Sequence, residues 1–160
     1  MSELQAVPPP PEGIVGSGRR LVNTNAVLQK VLQRLNPEDR SKIALRCDDL
    51  PVLEGTEEDF EKVFSGLLQL ILKNKPNGAK LFLHIHCTEE EIDPQTPKGL
   101  KQFSIQFNTN IIPCADWLQK RDQQFNEVAG IVQKNRGSLL LNQLKNSGCL
   151  FSVSLPGKTL

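Results

Sequence analysis

The chain contains no tyrosine, one tryptophan and only two histidines among 160 residues. Aromatic residues amount to 5%, most of them the 7 phenylalanines, too few to build a stacking platform for nucleic-acid bases. An excess of one charge is also missing. With 19 Lys and Arg against 18 Asp and Glu, the net charge is +1, so no basic field draws in a polyanion. Both shortages argue against a DNA or RNA partner. No apolar run approaches the roughly 20 residues needed to span a bilayer, and MSELQAVPPPPEG lacks the charged and apolar regions of an export signal. A cytoplasmic protein with no membrane segment is expected. Cys47, Cys87, Cys114 and Cys149 are widely separated and form no CxxC pair, which excludes zinc-ribbon spacing and leaves reduced, structural thiols as the reading for that compartment. Walker, GxSxG and HExxH motifs are absent as well.

What remains is one ordinary domain preceded by an arm. Residues 1–20 carry four consecutive prolines, Pro8 to Pro11, followed by GIVGSGRR, a composition that buries little and resists regular structure. Residues 21–160 are patterned throughout. In NTNAVLQKVLQRLNP, Asn23 or Asn25 caps a helix whose Val27, Leu28, Val31, Leu32 and Leu35 form one stripe, ended at Asn36-Pro37. KIALRC alternates as a half-buried strand, and a turn at DDLP follows. Thr56 then precedes Glu57, Glu58 and Asp59, an N-cap with acids in the first turn, where the helix dipole favours them. Phe60, Val63, Phe64, Leu67, Leu68 and Ile71 give this second helix its buried stripe as far as Lys73 to Lys75.

KLFLHIHC and QFSIQFN alternate as two further strands, most simply an antiparallel pair. A helix then runs through Val128, Ile131 and Val132 to a stop at Gly137, and SLLLNQL and CLFSVSLP close the domain as a hairpin. The order is α, β, α, β, β, α, β, β, with an optional short strand at Leu21. It predicts an α+β two-layer sandwich, in which about three helices cover one face of a mixed, mostly antiparallel sheet.

That order and its local patterns resemble the ATP-binding domain of sensor histidine kinases, the Bergerat or GHKL fold. The lead-in LVNTNAVLQKVLQRLNP, the strand and acidic helix start in KIALRCDDLPVLEGTEEDFEKVF, the helix-turn-strand unit LLQLILKNKPNGAKLFLHI and the closing GIVQKNRGSLLLNQLKNSGCLFSVSLP are each similar to a family segment, in the family's order. The resemblance covers nearly everything after the arm.

Three polar boxes carry that family's chemistry. The first places two asparagines four apart on one helix face to hold Mg²⁺ and line the phosphates. On KNKPNG, those positions fall on Gly66 and Leu70, neither of which offers the oxygen a hard cation takes, and Asn74 one turn later reads as a cap or turn residue. The second is an aspartate that meets the adenine amino group, followed by glycines. It falls on Phe107, or with a gap on Thr109, with Asn108 beside it and no glycine from Lys101 through Ala129. The third is a glycine-rich lid, of which only Gly130 remains. The resemblance therefore implies the fold of a pseudo-ATPase with no cofactor, which works by binding a protein partner in signalling. Ile111, Ile112 and Trp117, beside the former nucleotide site, are the candidate partner contacts, or else fill the empty pocket. The alternative is a divergent, active ATP and Mg²⁺ binder of the two-component or anti-sigma type, using Asn74, Asn108 and Asn110. With no histidine ahead of the ATPase-like segment, the family's phospho-accepting helix is not expected in this chain.

His84 and His86 share a strand face and are the one pair spaced for a metal. Solvent-facing strand histidines are the plainer reading. Cys114, next to Pro113, is the thiol expected to be exposed, with no histidine nearby in sequence to activate it.

Overall fold

The computed structural model describes residues 14–15, 19–75, 78, 80–92, 94, 96, 98–110, 123–144 and 148–158. In chain order the elements are β1 (Ile14–Val15), β2 (Arg19–Asn23), α1 (Thr24–Arg34), α2 (Pro37–Ser41), β3 (Ile43–Cys47), β4 (Val52–Gly55), α3 (Glu57–Lys73), β5 (Leu81–Glu90), β6 (Lys101–Thr109), α4 (Gln123–Lys134), β7 (Ser138–Leu144) and β8 (Gly148–Lys158). All eight strands join one sheet in the order β1-β2-β4-β8-β6-β5-β3, with β7 added beside β8. Only β3 and β5 pair in parallel. The two-layer α+β sandwich with a mostly antiparallel sheet is the architecture expected from the residue pattern.

Four differences from the expected order have local causes. β1 and β2 begin within residues 1–20, and β2 pairs with β4 from Arg20↔Gly55 to Asn23↔Val52. β4 follows the DDLP turn where the residue pattern gives no element, because VLEG is too short to alternate. The helix stop at Asn36-Pro37 also starts a new helix, α2. Asn36 caps it by accepting from the Asp39 amide, and Pro37 sits at its first turn, where its missing N–H costs nothing. At the end of α4 the left-handed residue is Arg136, with φ of 67°, and not Gly137. Gly137 is needed for another reason: a Cβ there would lie 2.0 Å from the Ser154 carbonyl oxygen.

α1 starts at Asn23, whose side chain accepts from the Ala26 amide. Asn25, the other candidate cap, instead clasps the chain before β4, donating to the Leu50 carbonyl at 2.8 Å and accepting from the Leu50 amide at 3.0 Å. α3 lies between α1 and α4 and touches both. Its Phe60, Phe64, Leu67, Leu68 and Leu70 are among the largest fully buried side chains, and they form one cluster with Leu81, Leu83 and Ile85 of β5, Ile105 and Phe107 of β6, and Phe151, Val153 and Leu155 of β8. The alternate residues of β5 and β6 occupy the opposite, open face of the sheet.

β8 binds the sheet together. One edge pairs with β6 from Lys101↔Gly157 to Thr109↔Cys149. The other is shared: β7 pairs with Gly148 to Ser154, and β4 takes the last turn through Val52↔Lys158 and Leu53↔Gly157.

The start of α3 and the end of α4 are tied by a buried polar cluster. Asp59 accepts from the Asn135 amide at 3.0 Å and pairs with Lys134 at 3.2 Å, and its own backbone amide donates to Thr56 Oγ1. Burial alone would raise the Asp59 pKa, but the hydrogen bonds from Asn135 and Lys134 and the Lys134 charge outweigh it, so its carboxyl is held below the usual value. The folded-state pKa being depressed, the stability it contributes is present above the unfolded value, near 3.9, and is lost as pH falls through the folded value. Asp59→Asn should therefore cost about 1 to 3 kcal/mol at neutral pH. It should also flatten the loss of stability between neutral pH and pH 3, measured by urea unfolding across that range. An unchanged acid limb in the variant would refute the assignment.

Candidate functional site

The positions singled out from the sequence separate into different surroundings. Gly66 lies midway along α3, at the crossing with α4, and a Cβ built on it would come within 2.5 Å of Val128 Cγ2. The helices approach this closely because residue 66 has no side chain. An asparagine there needs α4 to move away. Leu70, one turn on, is fully buried in the core. Phe107 is fully buried too, its ring centroid 6.0 Å from that of Phe64, and it lies between Ile85 of β5 and Phe151 of β8.

Asn74 is the C-cap of α3 and donates its side-chain amide to the Leu70 carbonyl at 2.8 Å, which satisfies one of the helix's last acceptors. Asn108 follows Phe107 and is therefore on the other face of the sheet. There it lines a shallow hollow of about 310 Å³ with Arg46, Phe82, His84 and Asn110. Asn110 is itself engaged, accepting from the Phe82 amide and donating to the Lys80 carbonyl. The strand period, decisive for this split, was available in the sequence. The crossing of α4 over Gly66 was not. Ile111, Ile112, Trp117 and Cys114 lie outside the described residues.

A groove of about 450 Å³ runs along the outer side of the α3–α4 crossing, with Ser65, Gly66 and Gln69 from α3 and Gln124, Glu127 and Val128 from α4 on its walls. Gln124 donates to Gln69 across it at 2.8 Å. Arg34 and Lys62 are its cations among the described residues, and Glu58, Glu61 and Glu127 its carboxylates. Arg34 pairs with Glu61, and Lys62 with Glu58 at 3.2 Å. Both cations therefore already face a carboxylate, and Glu127 adds a further negative charge. Such a lining suits a neutral or cationic polar ligand or side chain better than a row of phosphates, which takes free Lys, Arg or Mg²⁺.

On the open face of the sheet, the His84 and His86 rings lie with centroids 4.7 Å apart and their planes tilted by 31°. His84 Nε2 is 3.1 Å from Asp48 Oδ2. The His84 hydrogen bond, with support from Arg46, holds the Asp48 carboxyl below its usual value, and burial lowers His86. Among the described residues no group of three His, Cys, Asp or Glu side chains is placed to hold a metal ion. Burial pushes the Cys87 thiol up to about 11 and the Cys149 thiol up to about 12, so neither is a nucleophile near neutral pH. No helix among the described residues is long and apolar enough to cross a membrane.

With this geometry described, solved structures provide the comparison. A mycobacterial sensor histidine kinase, MprB, superposes with a TM-score of 0.62 at 18% identity, over 88% of this chain and 100% of that one. The catalytic domain of the histidine kinase ThkA gives 0.63 at 15% identity, over 88% and 99%. The fold is that of a histidine-kinase ATPase domain. The histidine kinase domain of a blue-light-activated kinase from Erythrobacter litoralis matches at 0.59 and 15% identity, over 84% of this chain and 61% of that one. No protein-family model matches the sequence, and no curated protein matches it either.

The contact of Gly66 with Val128 can be tested by a double-mutant cycle. Gly66→Asn should destabilise by about 1 to 3 kcal/mol through overpacking. Combined with Val128→Ala, which clears the space, it should cost less than the sum of the two single changes by more than about 0.5 kcal/mol. Additive costs in chemical denaturation would show that the two residues do not compete for that space.

Proposed function

We propose that this chain is a non-catalytic signalling module: a histidine-kinase ATPase-like domain that has given up its ATP and Mg²⁺ boxes and acts by binding a protein partner. The observation that carries the reading is at the first box. Where the resemblance calls for two amide side chains on one helix face, residue 66 has no side chain and a neighbouring helix against it, and residue 70 is a leucine sealed in the core. Phe107, sealed likewise, stands where a carboxylate would meet adenine. The prepaired charges of the α3–α4 groove support the same conclusion, because a triphosphate entering it would meet Glu127 and two cations already held by carboxylates.

One observation favours the second reading, a divergent ATP binder. The groove over Gly66 is open and has a volume of about 450 Å³, within the range of small-molecule sites. Nucleotide in it would contact Gln69 and Gln124 in place of the asparagine pair.

Titration calorimetry of the full chain with ATP and with ADP, each with and without Mg²⁺, separates the two. The expected result is no saturable heat up to about millimolar ligand. Saturable binding with a micromolar Kd, abolished by Gln69→Ala, would overturn the proposal in favour of the second reading.

A further inference from the structure

Among the described residues the sheet ends at β3, whose outer edge no described strand covers. Its inner edge is bonded to β5: the Leu81 amide donates to the Lys42 carbonyl at 3.1 Å, and the Asp48 amide donates to the Ile85 carbonyl at 2.9 Å. In a parallel ladder the bonded residues alternate, so Ala44 and Arg46, with the Lys42 carbonyl and the Asp48 amide, turn their backbone groups inward, while Ile43, Leu45 and Cys47 turn theirs out. Those three also send their side chains to the helix side. Ile43 and Cys47 abut the core, and Leu45, 40% exposed, forms with Ile43, Leu32 and Leu35 the apolar wall of a hollow of about 310 Å³. Outward backbone groups and an apolar row therefore belong to the same residues.

We infer that this edge is a self-pairing surface, whose occupant is a second copy of the chain with its β3 antiparallel to the first and Leu45 opposite Leu45. The charge pattern selects this partner and register. About a two-fold axis at Leu45, Ile43 faces Cys47 on the helix side. On the open face Ala44 faces Arg46, and Lys42 faces Asp48, an opposite-charge pair that occurs twice by symmetry. The side chains of Lys42 and Asp48 are 42% and 44% exposed, so both are reachable alongside their own neighbours, Glu38, Asp39, Arg46 and His84.

Sliding the partner by two residues keeps the outward backbone groups facing each other but sets Arg46 against Arg46, or Lys42 against Arg46. Sliding by one turns the apolar row to the wrong face. Basic side chains on an edge strand ordinarily guard it against stray pairing. Here Lys42 and Arg46 oppose both registers two residues away and leave the one centred on Leu45. In that one, each Leu45 lies at the mouth of the other copy's hollow, and the two sheets become continuous. The surface is on the far side of α1 from the α3–α4 groove and is independent of whether that groove holds a nucleotide.

Sedimentation equilibrium of the full 160-residue chain, from about 10 µM to about 1 mM, tests this. The expected result is a concentration-dependent rise in mass from 17.8 kDa toward twice that value. Leu45→Lys, which sets like charges together at the axis, and Lys42→Asp, which sets Asp against Asp48, should each weaken association by about tenfold or more. Lys42→Asp combined with Asp48→Lys should recover it to within about threefold of the parent chain. Circular dichroism identifies any variant that fails to fold, and Lys42→Asp at an exposed position remains as the check should Leu45→Lys do so. A chain that stays at 17.8 kDa throughout, a dimer insensitive to both single changes, or no recovery in the charge swap would each overturn the inference.

Discussion

Everything in this domain is arranged around one helix whose long apolar face is buried in the core. α3 is held against the sheet below and between α1 and α4 on its flanks. Tight contact on the α4 side depends on a residue with no side chain. At about 1.5 Å of rise per residue, Gly66 stands near the middle of the helix, so Val128 fits against the α3 backbone at the point where the two helices cross. Burial of Phe60, Phe64, Leu67 and Leu68 supplies the energy of the layer, and the Gly66 contact fixes its geometry. The Asp59 cluster with Asn135 and Lys134 then pins the two helices together at one end.

The same contact bears on the proposed loss of nucleotide chemistry. A helix face that binds a cation has to keep oxygen atoms in open space, whereas a helix face that carries a neighbouring helix has to be flat. The two demands conflict at one position. Resemblance to histidine-kinase domains at 15 to 18% identity across most of the chain shows how much substitution the scaffold tolerates. The sheet, the helix layer and their order follow from hydrophobic periodicity, which survives extensive substitution.

Legibility in the sequence followed that periodicity. The stripes of α1 and α3 and the alternation of β3, β5 and β6 are long enough to read directly, and Thr56 with its three following acids marks the start of α3 without ambiguity. β4 was missed because four residues, the last of them a glycine, carry no period. α2 was missed because a proline that stops one helix is equally suited to begin another. Of the candidate site, the identities at 66, 70 and 107 were plain in the sequence, and alternation was enough to place Phe107 and Asn108 on opposite faces. The meaning of Gly66 was hidden, since it depends on Val128, a residue brought to it only by the fold. The pairing of Arg34 with Glu61 between α1 and α3 was equally out of reach.

The divided edge of β8 bears on how the protein can be made. β4 reaches the rest of the sheet through Val52 and Leu53 against Lys158 and Gly157, and β4 in turn carries β2 and β1. Among the described strands, the β1-β2-β4 ribbon therefore has no link to the rest of the sheet until β8, which follows it by about 90 residues, has emerged. α1 and α3 are available much sooner and can associate through their apolar stripes. This sandwich should acquire its helical layer during synthesis and complete its sheet only afterwards, when one late strand recruits partners from both halves of the sequence.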